Sequence, residues 1–262
     1  MPLIEFKSVE KSYTARSGQT ASAVRDFNLD LDGGEFFCLL GPSGCGKTTV
    51  LAMLAGFEQP SDGEIVLDGS VIERPSRDRG VVFQGDDSLY PWLTAIENIE
   101  FGLRLNNISK VERRKMAQEY LQLVGLRGQQ DKYPSELSGG MKQRIQIARA
   151  LANRPKMLLM DEPFGALDAQ TRGIMQHELR EIWRSSGISV FFITHDIDEA
   201  LVLGTRVGIM TAGPGGTLKE VVTVELDEQR VRTDRNYSLF YERIHSSIRE
   251  EVQRATMAQE VA

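Results

Sequence analysis

The octapeptide Gly41-Pro42-Ser43-Gly44-Cys45-Gly46-Lys47-Thr48 constrains what this chain can fold into more than any other stretch. It fits the pattern G-x-x-x-x-G-K-[ST], follows the apolar run Phe36 to Leu40 and leads into a helical pattern from Lys47 to Leu54. Strand, glycine turn and helix in that order let successive backbone N–H groups surround a phosphate, while the helix N-terminus adds positive dipole. Lys47 is expected to reach the β- and γ-phosphates of a nucleotide, and the Thr48 hydroxyl to ligate Mg²⁺. Such an element belongs to an α/β protein, so the remaining strands have to supply its sheet.

They are legible on both sides of it. Leu3 to Phe6, Ala23 to Leu31, Glu64 to Leu67 and Gly80 to Phe83 read as short strands, with turns at Asp32-Gly33-Gly34 and Asp62-Gly63. From about residue 94 to 152 the pattern turns helical. Thr94 with Glu97 and Ser109 with Glu112 have capping-box spacing, and Ser138 precedes a further helix that runs toward Pro155. Ala117, Tyr120, Leu121 and Val124 recur at helical spacing and predict one buried face. Strands return at Met157 to Asp161, Ser189 to Thr194 and Arg206 to Thr211, apolar enough for a parallel sheet covered on both faces. Beyond Gly213-Pro214-Gly215-Gly216 the chain reads as a polar tail. An amphipathic helix follows, with Phe240, Ile244, Ile248 and Val252 as its stripe.

Composition narrows the classes. With 41% hydrophobic residues in 262, the chain can bury a core and is not disordered. The net charge of -6 (31 cations against 37 anions) weighs against general nucleic-acid binding. No run approaches the roughly 20 apolar residues of a membrane span, and the N-terminus lacks the pattern of a secretory signal. A cytoplasmic location is expected, in which Cys38 and Cys45 stay unpaired.

A second motif supplies the carboxylates that nucleotide hydrolysis needs. Met157-Leu158-Leu159-Met160-Asp161-Glu162 is an apolar strand ending in two acids. Asp161 is placed to ligate the metal or to sit just behind its ligands, and Glu162 to polarise the attacking water.

The third motif points to a family. Leu137-Ser138-Gly139-Gly140-Met141-Lys142-Gln143-Arg144, upstream of the acidic strand, resembles the signature of ATP-binding cassette (ABC) ATPases. The resemblance covers nearly the whole chain. It implies an α/β fold: a P-loop NTPase core with an N-terminal antiparallel β region and an inserted helical subdomain. The expected division is one domain over 1–262, with the nucleotide-binding core at 1–93 and 153–225, the helical subdomain at 94–152 and a helical tail at 226–262.

Family likeness also assigns the site. Gly41 to Thr49 would cradle ATP-Mg²⁺, Tyr13 would stack on adenine, and Gln84 would contact Mg²⁺ and water. Ser138, Gly139 and Gly140 would bind the γ-phosphate of ATP held by the opposite subunit. Asp168, in Gly165-Ala166-Leu167-Asp168, belongs to the loop at the dimer interface, and His195 resembles the histidine that contacts the γ-phosphate. Lys47, Glu162 and His195 are thus the catalytic candidates, and Thr48, Gln84 and Asp161 the metal ones. Met141 departs from the glutamine usual at its position, which removes one side-chain hydrogen bond.

The segment Leu89-Tyr90-Pro91-Trp92-Leu93 has two readings, a groove for a partner helix or filling between lobes. Family resemblance favours the groove, where the permease of an ABC transporter would dock. Arg79 to Gln84, Tyr90 to Thr94, Asp161 to Asp168 and Thr194 to Ala200 look most like the nitrate/sulfonate/taurine importer ATPases. That implies a homodimer closing on two ATP, an integral membrane permease, a periplasmic or lipid-anchored solute-binding protein, and a peripheral position on the inner face of the membrane. A soluble ABC ATPase driving macromolecular assembly is the alternative.

Overall fold

In the computed structural model, residues 2–15, 18–83, 88–165 and 167–260 are described, with side chains to 254. Along the chain run β1 (Ile4–Thr14), β2 (Thr20–Leu31), β3 (Phe36–Leu40), α1 (Lys47–Ala55), β4 (Asp62–Leu67), β5 (Ser70–Val71) and β6 (Arg79–Val82). Then come α2 (Ala95–Leu105), α3 (Lys110–Leu123), a 3-10 turn (Pro134–Glu136), α4 (Gly139–Ala152), β7 (Met157–Asp161) and α5 (Ala169–Ser186). The chain closes with β8 (Ser189–Ile193), α6 (Ile197–Leu203), β9 (Arg206–Met210), β10 (Leu218–Thr223) and α7 (Arg235–Glu260). Two compact units result: residues 1–76 with 189–262, and residues 77–188.

In the first unit β3 lies between β8 and β9, parallel to both, with Leu39 opposite Ile193 and Leu40 opposite Ile209. Every residue of β3 and of β8 is buried, the signature of strands covered on both faces. β10 extends this sheet antiparallel to β9. A separate antiparallel sheet has the order β2-β1-β4-β5. Phe6 joins the two layers: its ring meets Phe27 edge-on at 5.1 Å and Phe191 at 6.4 Å, and Phe191 stacks on Phe37 at 5.5 Å. Each of these fully buried rings contributes about 1.5–3 kcal/mol by leaving water.

The second unit pairs β6 parallel to β7, with Val82 opposite Met160, and packs α2, α3 and α4 on one another. The Thr94 capping box is complete, with the Glu97 carboxylate accepting the Thr94 N–H at 2.9 Å. Ser109 forms only half of its expected box: its hydroxyl accepts the Glu112 N–H and no return bond joins it.

The chain's end corrects the sequence reading twice. Residues 218–223 form the edge strand β10, not a polar tail, because Lys219 and Glu220 find their partners on α7. The α7 stripe is also rotated. Tyr237, Ile244, Ser247 and Glu251 are its buried positions, whereas Val252 is 46% exposed. The Glu251 carboxylate accepts from Lys219 at 3.0 Å, from Arg254 at 2.9 Å and from the Ala212 N–H at 3.1 Å. Those three donors make burial of the carboxylate tolerable and hold it below its usual range against the opposing effect of burial. No helix among the described residues is long and apolar enough to cross a membrane.

Candidate nucleotide-binding site

The phosphate loop emerges from β3 and closes onto α1 through Gly46, whose φ of 103 is open to glycine and strained for other residues. A Cβ there would sit 2.6 Å from the Ala23 carbonyl oxygen, so space and torsion both require glycine. Cys45 is wholly buried and Lys47 nearly so, whereas Ser43, Gly44 and Thr48 are exposed at the mouth. The Lys47 ammonium donates to the carbonyls of Gly41 at 2.8 Å and Pro42 at 3.0 Å, spanning the loop from inside. The first N–H groups of α1 point toward this mouth, as at any helix start.

Cys45 is shielded rather than reactive. Burial pushes its thiol up, opposed by the nearby Lys47 charge, and its sulfur sits 4.0 Å from Met210 Sδ. Both cysteines are free.

Parallel pairing brings His195 to the same edge. β3 and β8 end side by side, and the Thr194 N–H donates to the Leu39 carbonyl at 3.3 Å. Open α/β sheets bind ligands beyond the carboxyl ends of their strands. The exposed His195 follows directly, ahead of the Asp196 cap of α6. Tyr13 lies on the same unit, its ring 42% exposed. Its hydroxyl donates to Glu58 at 2.6 Å, and Lys11 lies 5.1 Å from the ring centroid. Partial burial raises the phenol's pKa, with the Glu58 bond adding and a hydrogen bond with Thr49 opposing. The Tyr13 bond in turn lowers the Glu58 carboxyl.

The second unit carries the other candidates. Asp161 ends β7, and Glu162 follows with φ of 42, a left-handed conformation that costs a non-glycine residue of order 1–3 kcal/mol. Such strain concentrates where a side chain's direction matters more than backbone comfort. Ser138 caps α4, its hydroxyl accepting the Met141 N–H, and Gly139 and Gly140 open the helix. Asp168 caps α5 with both oxygens: Oδ1 accepts from the Gln170 and Thr171 N–H groups, Oδ2 from the Thr171 hydroxyl at 2.6 Å. That hydroxyl bond, then the backbone ones, holds Asp168 below the usual carboxylate range. Gln84 and Ala166 lie outside the described residues.

Two residues that sequence reasoning missed fix the Leu89–Leu93 segment. Asn98, fully buried, accepts the Tyr90 N–H at 2.8 Å and donates to the carbonyls of Tyr90, Leu93 and Thr94. Arg149 donates to the Ser88 carbonyl at 2.8 Å and lies 5.6 Å from the Tyr90 ring centroid. Tyr90 packs on Phe101, and Trp92 is left 69% exposed beside it.

Fold and site define a nucleotide-binding protein of the P-loop class. The sequence profile of the ABC transporter family matches residues 24–165. The nitrate import ATP-binding protein NrtD of Synechococcus elongatus is 47% identical over 231 residues, 87% of this chain and 84% of that protein. The taurine import ATP-binding protein TauB of Pseudomonas aeruginosa is 46% identical over 221 residues, 84% of this chain and 83% of that protein. Among solved structures, the dimeric post-hydrolysis state of an ATP-binding cassette bound to ADP and Pi matches with a TM-score of 0.73. It is 33% identical and covers 86% of this chain and 100% of that one. The chain belongs to the ABC transporter family and is its ATP-hydrolysing type of subunit.

Proposed function

We propose that this chain powers an importer for a small anionic solute such as nitrate, a sulfonate or taurine. The observation that carries the reading is the preformed phosphate loop at the end of β3, with His195 issuing from the neighbouring β8. The likeness to nitrate and taurine import proteins supplies the solute class.

The roles follow from chemistry. Gly41 to Thr49 hold the phosphates, and Lys47 exchanges its two carbonyl bonds for phosphate oxygens. Tyr13 offers its ring to the base. Thr48, exposed at the start of α1, with Asp161 and Gln84 gives Mg²⁺ the hard oxygen donors it takes. Held there, Mg²⁺ would supply positive charge to offset that of the phosphates. Glu162 orients the attacking water and His195 steadies the γ-phosphate.

Ser138, Gly139 and Gly140, at the start of α4, serve the ATP of a second copy, so two copies close head to tail around two nucleotides. Asp168 keeps the turn at that interface in shape. The helical segment 94–152 transmits closure, and the exposed Trp92 beside Tyr90 receives a permease helix. A solute-binding protein outside the cell delivers the cargo. The subunit then lies in the cytoplasm against the inner face of the membrane.

One experiment tests both chemistry and coupling. Tagged Glu162→Gln protein, recovered from detergent-solubilised membranes with ATP present, is expected to retain ATP and to carry a stoichiometric integral membrane protein. Its turnover should fall at least about 100-fold. Normal turnover removes Glu162 as the base, and recovery without a membrane protein removes the importer.

A further inference from the structure

The segment after β10 reaches the helix that starts two residues past His195. The Tyr237 hydroxyl, on a ring only 3% exposed, donates to Asp198 Oδ1 at 2.6 Å. Arg230 donates to the Leu201 carbonyl at 2.9 Å. One contact falls in the first turn of α6 and the other in the last. A helix of seven residues has no stable orientation of its own, so these tertiary contacts decide where it points.

The start of α6 is also tied to the residues on either side of His195. The Thr194 hydroxyl donates to Glu199 Oε2 at 2.6 Å and accepts the Asp196 N–H at 3.0 Å, bracketing His195 with a single group. Asp196 Oδ1 accepts the Glu199 N–H. Burial pushes the Cys38 thiol well up, with the Glu199 carboxylate adding and the Arg230 guanidinium opposing. The far half of α7 is anchored in turn on β10, through Lys219 to Glu250 at 2.8 Å and Ser247 to Glu220 at 2.6 Å. The hydrogen bonds that link the tail, α6 and the Thr194–Asp196 turn are thus buried or half-buried.

We infer that Tyr237, assisted by Arg230, is a positioning residue for His195, so that the C-terminal segment sets the rate of ATP hydrolysis by holding α6. The inference rests on the role proposed above for His195 as the γ-phosphate contact. Tyr237 touches no substrate. Its effect passes through Asp198 and the rigid turn Thr194–Asp196. Binding of ATP at the phosphate loop should be untouched, because no residue of that path belongs to the loop.

The test uses the full chain. Tyr237→Phe keeps the packed ring and removes the donor, so kcat should fall about 5- to 10-fold, the net scale of one ordinary hydrogen bond, with KM for ATP within about two-fold. Asp198→Ala should reproduce that loss, Asp198→Asn should rescue it by keeping an acceptor oxygen, and the Tyr237→Phe/Asp198→Ala double variant should be no worse than either single one. The chain has 3 histidines, so histidine NMR resolves the site directly, with the His195 signal identified by its disappearance in His195→Ala. Tyr237→Phe should shift that signal and leave His177 in place. A kcat within two-fold of the parent, or a fall in kcat with the His195 signal unmoved, overturns the inference while leaving the site reading intact. Full turnover in His195→Ala overturns the reading of His195, and the inference with it.

Discussion

Two glycine-rich turns lead into helices in this molecule, and they are built in opposite ways. In the phosphate loop Cys45 is wholly buried, Lys47 is 8% exposed, and a Cβ on Gly41 or Gly46 would collide with neighbours at 2.8 and 2.6 Å. The turn ahead of α4 leaves Ser138 exposed, and a Cβ on Gly139 would meet only Leu167, at 3.9 Å. The first turn is shaped by the core of its own unit before any nucleotide arrives. The second is a helix start held by one hydroxyl, presenting its N–H groups outward. Such an asymmetry suits a nucleotide gripped by one copy and only touched by the other. In the proposed roles, affinity would reside in the buried loop, and the open turn would meet the nucleotide only when a second copy closes.

The largest effect that could break this contrast is in the phosphate loop. Gly46→Ala puts a methyl group on the Ala23 carbonyl at a φ of 103, so the loop should lose its shape. ATP binding measured by calorimetry is expected to vanish, and stability to drop by at least about 2 kcal/mol. Retained binding would show that the loop adapts on contact rather than being preformed.

Ser138→Ala should be milder and of a different kind. Loss of the cap costs about 1 kcal/mol, a Tm lower by roughly 2–4 °C. ATP affinity of the single chain should stay constant, while ATP-driven dimerisation followed by analytical ultracentrifugation weakens. Equal losses of affinity in both variants would erase the distinction between the two turns.

The smallest effect sharpens the picture within the second unit. α4 is capped by a neutral serine, α5 by Asp168, and the α2 box includes Glu97. Thr171's hydroxyl lowers the Asp168 carboxyl, and the Thr94 backbone N–H lowers Glu97. A carboxyl depressed in the folded state stabilises above its unfolded pKa, and that contribution is lost as pH falls through the depressed value. Between neutrality and about pH 3, amide protection factors should therefore fall at the starts of α2 and α5 before that of α4. Asp168→Asn should remove the pH dependence at α5 alone.

Much of the site could be read without coordinates because its signals are local. Gly46 and Lys47 encode a phosphate loop within eight residues, and Thr94 and Ser138 announce helix starts through side chains that bond three residues ahead. The burial of β3 and β8 was equally plain, since strands covered on both faces have to be apolar throughout. Residues whose partners lie in an irregular turn or far along the chain were not legible. Asn98 reads as an ordinary helical polar residue until the carbonyls of the Tyr90–Thr94 turn surround it. The capping box expected at Ser109 was half right, because spacing permits the Glu112 return bond without compelling it.

The sequence by itself determined the strand–loop–helix of the P-loop, the two acids at the end of β7, and the alternation that makes an α/β core. Only the tertiary structure decided that Leu218–Thr223 is a strand, that α7 buries Ser247 and Glu251 rather than Val252, and that Tyr237 reaches Asp198. The physical reason is the range of the forces involved. Torsional preference, capping and hydrophobic periodicity act over a few residues, so the chain states them directly. A buried carboxylate is stable only when donors remote in sequence converge on it, and nothing near Glu251 announces that Lys219 and the Ala212 N–H will be there.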